Sequence, residues 1–570
     1  MEFEDEIAKL IYNAIENEEI TEDEIKQNIE IPKDEANGDY SFPCFKLSKS
    51  LKKSPIQIAD DIKDKIDVND TTIEKIENVK GFLNFYLSNK ELASDILYRF
   101  NNQKEEYGSS EMGAGKNIVI DFSSPNIAKP FHIGHLKTTI IGHCLYNIYK
   151  FLGFNVIGDN HLGDYGTQFA KLIIAYDKWG DEYDFSENPI DKLAELYVRI
   201  NKLCDEDENV LELCRETFKK LEDGDSHCVE LWEKFKDFSL VEFNQIYDLL
   251  GVHFDTMYGE AFYSDIMPEV MDILEKSGAL IESKGAKIID LSDEGIDTPF
   301  LIQKANGSSI YATRDMATLL FRVREYDYYK NLYVVGKEQS LYFKQVFAAS
   351  KYLGIDKKYI DGCEHVAYGL IRLPEGKMSS RKGNFIKVKD LLDDSISKVK
   401  DIVKDREIEN KDEVAKQIGV GAIVFDNLKD TTVKDQVFDL NAALNFTGET
   451  GPYIQYTTVR TKSVMDKAGY IPKYEEINAE KLTDSSSLSV LKTISEFQNT
   501  IINAMEKSEP SYVARYLLKL SKKFSNFYNN NKIICTDKEL QDARLYLTYM
   551  TNITLSNGLK LLGIDVPEKM

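Results

Sequence analysis

A stretch of about 40 residues constrains the fold more than any other part of the chain. Ile118-Val119-Ile120-Asp121-Phe122 is a short apolar run, followed by a polar loop with Pro125 and Pro130. A helical stretch then runs from about His132 to Phe151, and Gly153 closes it. Phe154-Asn155-Val156-Ile157 is a second apolar run. Strand, loop, helix and strand in this order predict a parallel βαβ unit, because parallel neighbours need a crossover and a helix supplies one. Leu332–Val335 and Val366–Ile371 predict further strands of the same sheet. The fold class is α/β: a Rossmann-like, doubly wound parallel sheet with long insertions.

The sheet cannot account for all 570 residues, a length that suggests about three or four domains. Phe3, Ile7, Leu10, Ile11 and Ala14 recur at helical spacing, and Gly81–Leu87 alternates as a strand does. Residues 1–110 are therefore a small α+β unit. The run Gly-Ser-Ser-Glu-Met-Gly-Ala-Gly (108–115) reads as a linker. Gly115-Lys116 imitates the end of a phosphate-binding loop, but Ser110 and Asn117 stand where glycine and Ser/Thr are required. The sheet domain spans 111–390, with a helical insertion at about 175–300. A helical connector (391–440) and a helical bundle (441–570) complete the chain.

Charge narrows the partners. With Lys+Arg 71 against Asp+Glu 96 the net charge is −25, which excludes a basic coat for nucleic acid over the whole surface. Residues 181–250 hold 20 acidic and 8 basic groups, the signature of a solvated helical insertion. Residues 451–570 reverse the balance, with 16 basic and 13 acidic groups among Tyr453, Tyr456, Tyr512, Tyr516, Phe524, Phe527 and Tyr528. At helical spacing most such rings are core, yet a minority on the surface suffices to stack on RNA bases. No run of about 18 apolar residues offers a membrane span, and the acidic start is unlike a secretory leader. Seven scattered cysteines indicate reduced thiols and a cytoplasmic protein. Cys204, Cys214, His227 and Cys228 fit no zinc spacing, so no metal site is expected.

Two segments carry chemistry. In Asp121-Phe-Ser-Ser-Pro-Asn-Ile-Ala-Lys-Pro-Phe-His132-Ile-Gly-His135, two histidines three apart share a helix face at the carboxyl end of the first strand. Backbone N–H groups and the helix dipole favour anions there. Imidazole N–H groups can follow a phosphate's charge through an in-line displacement, Gly134 leaves room beside them, and Lys129 adds a positive charge. The second segment, Pro374-Glu-Gly-Lys377-Met-Ser-Ser-Arg-Lys-Gly-Asn384, sets lysine, arginine and hydroxyl donors between glycines. Such a loop can close over a polyphosphate and release it with the product.

His-Ile-Gly-His and Lys-Met-Ser-Ser-Arg resemble the two signatures of class I aminoacyl-tRNA synthetases. Longer strings narrow the resemblance to the arginyl-tRNA synthetase family: Ser123–His135, Asn160–Phe169, Tyr-Ala-Thr-Arg-Asp (311–315), Thr-Gly-Pro-Tyr-Ile-Gln-Tyr (450–456) and the closing Leu-Gly-Ile-Asp-Val-Pro-Glu-Lys-Met. The resemblance implies that arginine attacks the α-phosphate of Mg-ATP and that the arginyl group then passes to the 2′-hydroxyl of the terminal tRNA adenosine. It assigns the ATP phosphates to His132, His135 and Lys377, with Gly134, Ser379 and Ser380 beside the nucleotide. Ser380 stands where the class signature usually has a second lysine, and Lys129, Arg381 and Lys382 are the candidates to supply that charge. Tyr311 and Asp315 match the family's guanidinium readers, Asn126 and Gln339 the holders of the α-amino and carboxylate ends, and Asp121 a strand-end carboxylate at the pocket. The resemblance further implies a monomer, tRNA contacts on residues 1–110 at the elbow, and an anticodon contact at Tyr456 and Arg460, one helical turn apart. A small-molecule nucleotidylyltransferase shares the histidine-bearing sheet but has no use for the net-positive helical end.

Overall fold

The computed structural model describes residues 3–15, 20–32, 37–69, 71–305, 311–372 and 386–570. They form two compact units that do not follow chain order. One comprises residues 1–107, 461–496 and 522–553, and the other 108–460, 497–521 and 554–570.

The first unit contains a three-stranded antiparallel sheet with Phe82–Leu87 between Tyr40–Pro43 and Ile73–Val79. Lys80 and Gly81, both left-handed (φ 56° and 87°), make the two-residue turn that joins Val79 to Phe82. Such a turn matches the twist of paired strands. The amphipathic helix expected at the start spans Phe3–Ala14 and buries Phe3, Ile7, Ile11 and Ala14. Asp39 is spent on architecture: it accepts from the Leu87 N–H at 2.9 Å and pairs with Lys492.

The second unit is built on β1 (Asn117–Asp121), β2 (Asn155–Asp159), β3 (Lys330–Gly336) and β4 (Cys363–Tyr368). They form one parallel sheet in the order β4-β3-β1-β2. All four anticipated strands are present. The last ends at Tyr368, and Ile371–Arg372 pairs instead with Gln436–Val437. The crossover from β1 to β2 is α1 (Ile133–Phe151), whose burial of Leu136, Ile140, Ile141, Leu145 and Ile148 fixes it to the sheet.

The insertion is helical only in part. Helices at Pro189–Glu206 and Glu208–Glu222, α2 (Ser226–Leu250) and Met267–Ser277 agree with expectation. Leu280–Ser283, Ala286–Leu291 and Ile296–Gln303 instead form an antiparallel three-stranded sheet. The cause is local. Lys284 and Gly285 adopt left-handed backbone (φ 51° and 80°) between the paired Ser283 and Ala286, and so nucleate a hairpin that overrides the preceding helical pattern. Two helices complete the frame of the site: α3 (Tyr311–Tyr326), between the meander and β3, and α4 (Ser340–Ala349), after β3.

Candidate active site

The carboxyl ends of β1 and β3 open onto a cavity of about 930 Å³. Asp121, Asn126, His132, Gly134, His135, Tyr311, Asp315 and Gln339 all line it. Residues spread over more than two hundred positions of sequence thus meet in one space.

The histidine end is fixed by a helix cap. His132 is the N-cap of α1, and its Nδ1 accepts from the Gly134 N–H at 3.1 Å. His135 returns the favour by accepting the His132 N–H on its own Nδ1 at 3.3 Å. Serine and glutamate commonly close such a box; here two imidazoles do, and they stack with centroids 3.9 Å apart. With both Nδ1 atoms accepting, the ring hydrogen belongs on Nε2 in each. Burial pushes the pKa of His132 down, and that of His135 well down, with the Lys129 charge acting in the same direction on both. The pair therefore presents neutral N–H donors. Gly134 is small for the same reason, since a Cβ there would stand 2.8 Å from Cε1 of His132.

Lys129 does not line the cavity. It is partly buried, burial lowers its pKa, and it influences the site through its charge. A cation that was not anticipated does line it: Lys137 on α1, 2% exposed, donating to the Lys434 carbonyl at 3.1 Å, with its pKa pulled down to about 8 by burial. Lys377, Ser379, Ser380, Arg381 and Lys382 lie outside the described residues. The residues bordering them are at the site. Ile371 and Arg372 line the cavity, and on the far side Val388 donates to the Phe131 carbonyl at 3.0 Å while Ile133 donates to that of Ile386 at 3.1 Å.

At the other end the string 123–135 lies beside the string 160–169. Gly163 donates to Pro125 O at 3.1 Å and accepts from Ile127 N at 3.2 Å, and any Cβ on Gly163 would press on Asn126 Oδ1 at 2.6 Å. This pairing places the Asn126 amide on the cavity wall. Ser123, Ser124 and Ala128 hold left-handed backbone in this loop (φ 70°, 46° and 58°), a cost that the surrounding bonds must offset.

Asp315 accepts from the Tyr342 hydroxyl, and burial raises its pKa. Tyr311, 61% exposed, opens α3 one turn before it. Glu260, which the sequence reading missed, joins them on the cavity wall. Its backbone is clamped by Glu260 N to Leu162 O at 3.0 Å and Ala261 N to Asp164 Oδ1 at 2.9 Å. Its Oε2 is buried without a hydrogen-bond partner among the described residues, and burial lifts its pKa to about 7. Two half-buried carboxylates and a tyrosine are a donor set that a planar cation would match.

Asp121 also lines the cavity, but its oxygens are engaged: Ser124 donates to one at 2.9 Å and Arg322 to the other at 2.8 Å. The same Arg322 nitrogen reaches Asp159 at 2.6 Å, and its neighbour reaches Asn331 at 3.3 Å. Asp121, Asp159 and His161 bring potential ligand atoms within 4.8 Å of one another. A divalent cation does not fit there, because the fully buried Arg322 guanidinium already bridges the two carboxylates.

Away from the cavity, Tyr456 and Arg460 are paired, with the guanidinium 4.7 Å from the ring. Of the aromatics singled out in the net-positive stretch, Tyr516, Phe524 and Phe527 are buried, whereas Tyr456, Tyr512 and Tyr528 are exposed.

A parallel sheet, a histidine-capped helix at its carboxyl end and a cavity running from there to a carboxylate cluster are the parts of a class I aminoacyl-tRNA synthetase core. Comparison with known proteins gives the same class and refines it. Residues 97–440 match the family described as tRNA synthetases class I (R), catalytic domain; 454–570 match the DALR anticodon binding domain; 5–87 match the arginyl tRNA synthetase N terminal domain. An arginine–tRNA ligase of Halothermothrix orenii is 43% identical over 573 residues, covering all of both chains. The arginyl-tRNA synthetase structures of Thermus thermophilus (25% identity, TM-score 0.82, 99% of each chain) and Plasmodium falciparum (26%, 0.81, 100% of this chain and 99% of that one) are similar throughout. The chain belongs to the arginyl-tRNA synthetase family.

Proposed function

We propose that the cavity binds ATP at its histidine end and L-arginine at its carboxylate end, and that the enzyme charges tRNA with arginine by way of an arginyl-adenylate. The observation that carries this division is the meeting of His132, His135, Asn126, Tyr311, Asp315 and Gln339 in one space. Asp315 and Glu260 take the guanidinium between them, with Tyr311 alongside. Asn126 and Gln339 hold the α-amino and carboxylate ends. The arginine carboxylate is thereby aimed at the α-phosphate, a gain from positioning rather than from covalent chemistry.

The two neutral imidazoles donate Nε2–H bonds to the phosphates. Their arrangement is set before substrate arrives by the helix cap, so no reorganisation is needed as charge moves onto pyrophosphate. Lys377 and its loop, together with Lys129, supply positive charge, and Lys137 adds a further cation on the wall. Magnesium enters as part of the ATP complex.

The protein acts as a monomer in the cytoplasm, consistent with seven cysteines that are all free thiols. Among the described residues no helix is long and apolar enough to cross a membrane. Residues 1–110 take the tRNA elbow, and the helical end takes the anticodon, with Tyr456 offering a ring for stacking and Arg460 a charge beside it. Aminoacylation of total tRNA with each amino acid in turn tests the reading. Arginine alone should yield product, and charging with another amino acid, or none with arginine, would overturn it.

A further inference from the structure

The carboxylate end contains a cation of its own. Arg314 lies on α3 between Tyr311 and Asp315, 5% exposed. Its guanidinium carbon is 4.3 Å from the Tyr165 ring centre and 5.2 Å from that of Tyr311. Its Nη1 is 3.6 Å from Glu260 Oε2, an ion pair but too long for a hydrogen bond. Arg314 Nε and Nη1 and Glu260 Oε2 are all buried without hydrogen-bond partners among the described residues.

This geometry leaves each group half used. Arg314 is near enough to supply charge and too far to fill the carboxylate's acceptor sites, so Oε2 keeps room for an incoming donor. The charges make the purpose clear. When both are ionised, Asp315 and Glu260 carry two negative charges, and a single substrate guanidinium would leave one unbalanced in the pocket. With Arg314 included, the occupied pocket is neutral. Among the described residues, the other titratable groups around Glu260 are Asp164, paired with Lys236 at 3.2 Å, His161 beside the pocket, Tyr311, and Tyr165 and Tyr342, whose hydroxyls donate to Glu222 and Asp315.

We infer that Arg314 is a positioning residue for arginine selection: held against the Tyr165 and Tyr311 rings, it acts as an internal counter-ion that keeps Glu260 a carboxylate directed at the substrate guanidinium. This rests on the proposed arginine pocket. Burial raises the pKa of Glu260 and Arg314 opposes that rise, so removing the guanidinium moves the proton onto Glu260 at higher pH.

The test is arginine KM and kcat in tRNA charging from pH 6 to 9, for wild type, R314M, R314K, E260Q and the R314M/E260Q pair. R314M should raise arginine KM roughly tenfold at neutral pH for each unit of displacement and shift the inflection upward, with kcat little changed. R314K should restore the wild-type inflection. E260Q should abolish the inflection, and the double variant should be no worse than E260Q alone. Should R314M fail to fold, R314Q removes the charge while keeping a polar stem and reads the same effect. A charge-deleted variant whose KM profile superimposes on wild type, or a double variant whose losses simply add, overturns the role of Arg314. If E260Q and D315N both leave arginine KM unmoved, the pocket assignment itself fails instead.

Discussion

The two ends of the cavity were assembled by different routes. At the histidine end, two side chains three residues apart cap one helix and fix each other's tautomers through their own backbone. At the carboxylate end, Asn126, Glu260, the pair Tyr311 and Asp315, and the pair Gln339 and Tyr342 come from four separate segments that meet on one wall. The first end depends on local geometry and the second on tertiary packing. Charge handling differs as well: burial keeps the histidines neutral, whereas at the carboxylates it is opposed by the Tyr342 hydrogen bond to Asp315 and by the Arg314 charge beside Glu260.

That contrast should divide the kinetics. The largest effect belongs to His135→Ala, which removes a preorganised donor and undoes the cap at once. The rate of adenylate formation should fall roughly 10²–10³-fold while arginine affinity stays near wild type. An unchanged rate removes His135 from the mechanism, and a parallel loss of arginine affinity would show that the two ends are not independent.

Asp315→Asn should act in the opposite sense, costing about 2–4 kcal/mol of arginine binding with ATP use largely intact. Arginine titrations that overlay the wild type would break the assignment. Next in size is the response of the wild-type enzyme to pH. Glu260 loses its charge as pH falls through about 7, so arginine KM should climb by up to about tenfold per unit below that point. Both histidines have depressed pKa values and stay neutral through the same range, so kcat should remain level where KM climbs. A shared inflection in kcat and KM would contradict the division. The smallest effect is expected of Tyr342→Phe, which deletes one hydrogen bond to Asp315 and should weaken arginine binding by about 1 kcal/mol. Isothermal titration resolves that difference.

How much of this was legible in sequence follows the same line. The βαβ unit, its strand order in the chain and the histidine pair were readable because hydrophobic periodicity and a contiguous motif report local geometry. The candidate arginine-pocket residues were reached by family resemblance, since nothing in the spacing of Asn126, Tyr311 and Gln339 reports that they meet. Glu260 was missed because it sits in a short 3-10 turn among aromatic residues, with no pattern of its own. Lys137 was missed because a lysine within a helix reads as a solvent-facing group, whereas here it is buried against a carbonyl. The meander at 280–303 was passed over as helical, although Lys284-Gly285 between alternating residues is a hairpin signal.

Arg322 ties the two lower strand tips to α3, two turns beyond Asp315 on the same helix. In the proposed binding mode, the Asn126 amide that would take the backbone of the amino acid and the Asp315 carboxylate that would take its tip are mounted on one frame, with Ser124 and Asp121 as the linking bonds. Such a frame measures length. On that proposal, a cation on a shorter stem would reach one mount or the other without drawing them together, and the span of the scaffold would add to the discrimination supplied by contacts at the tip.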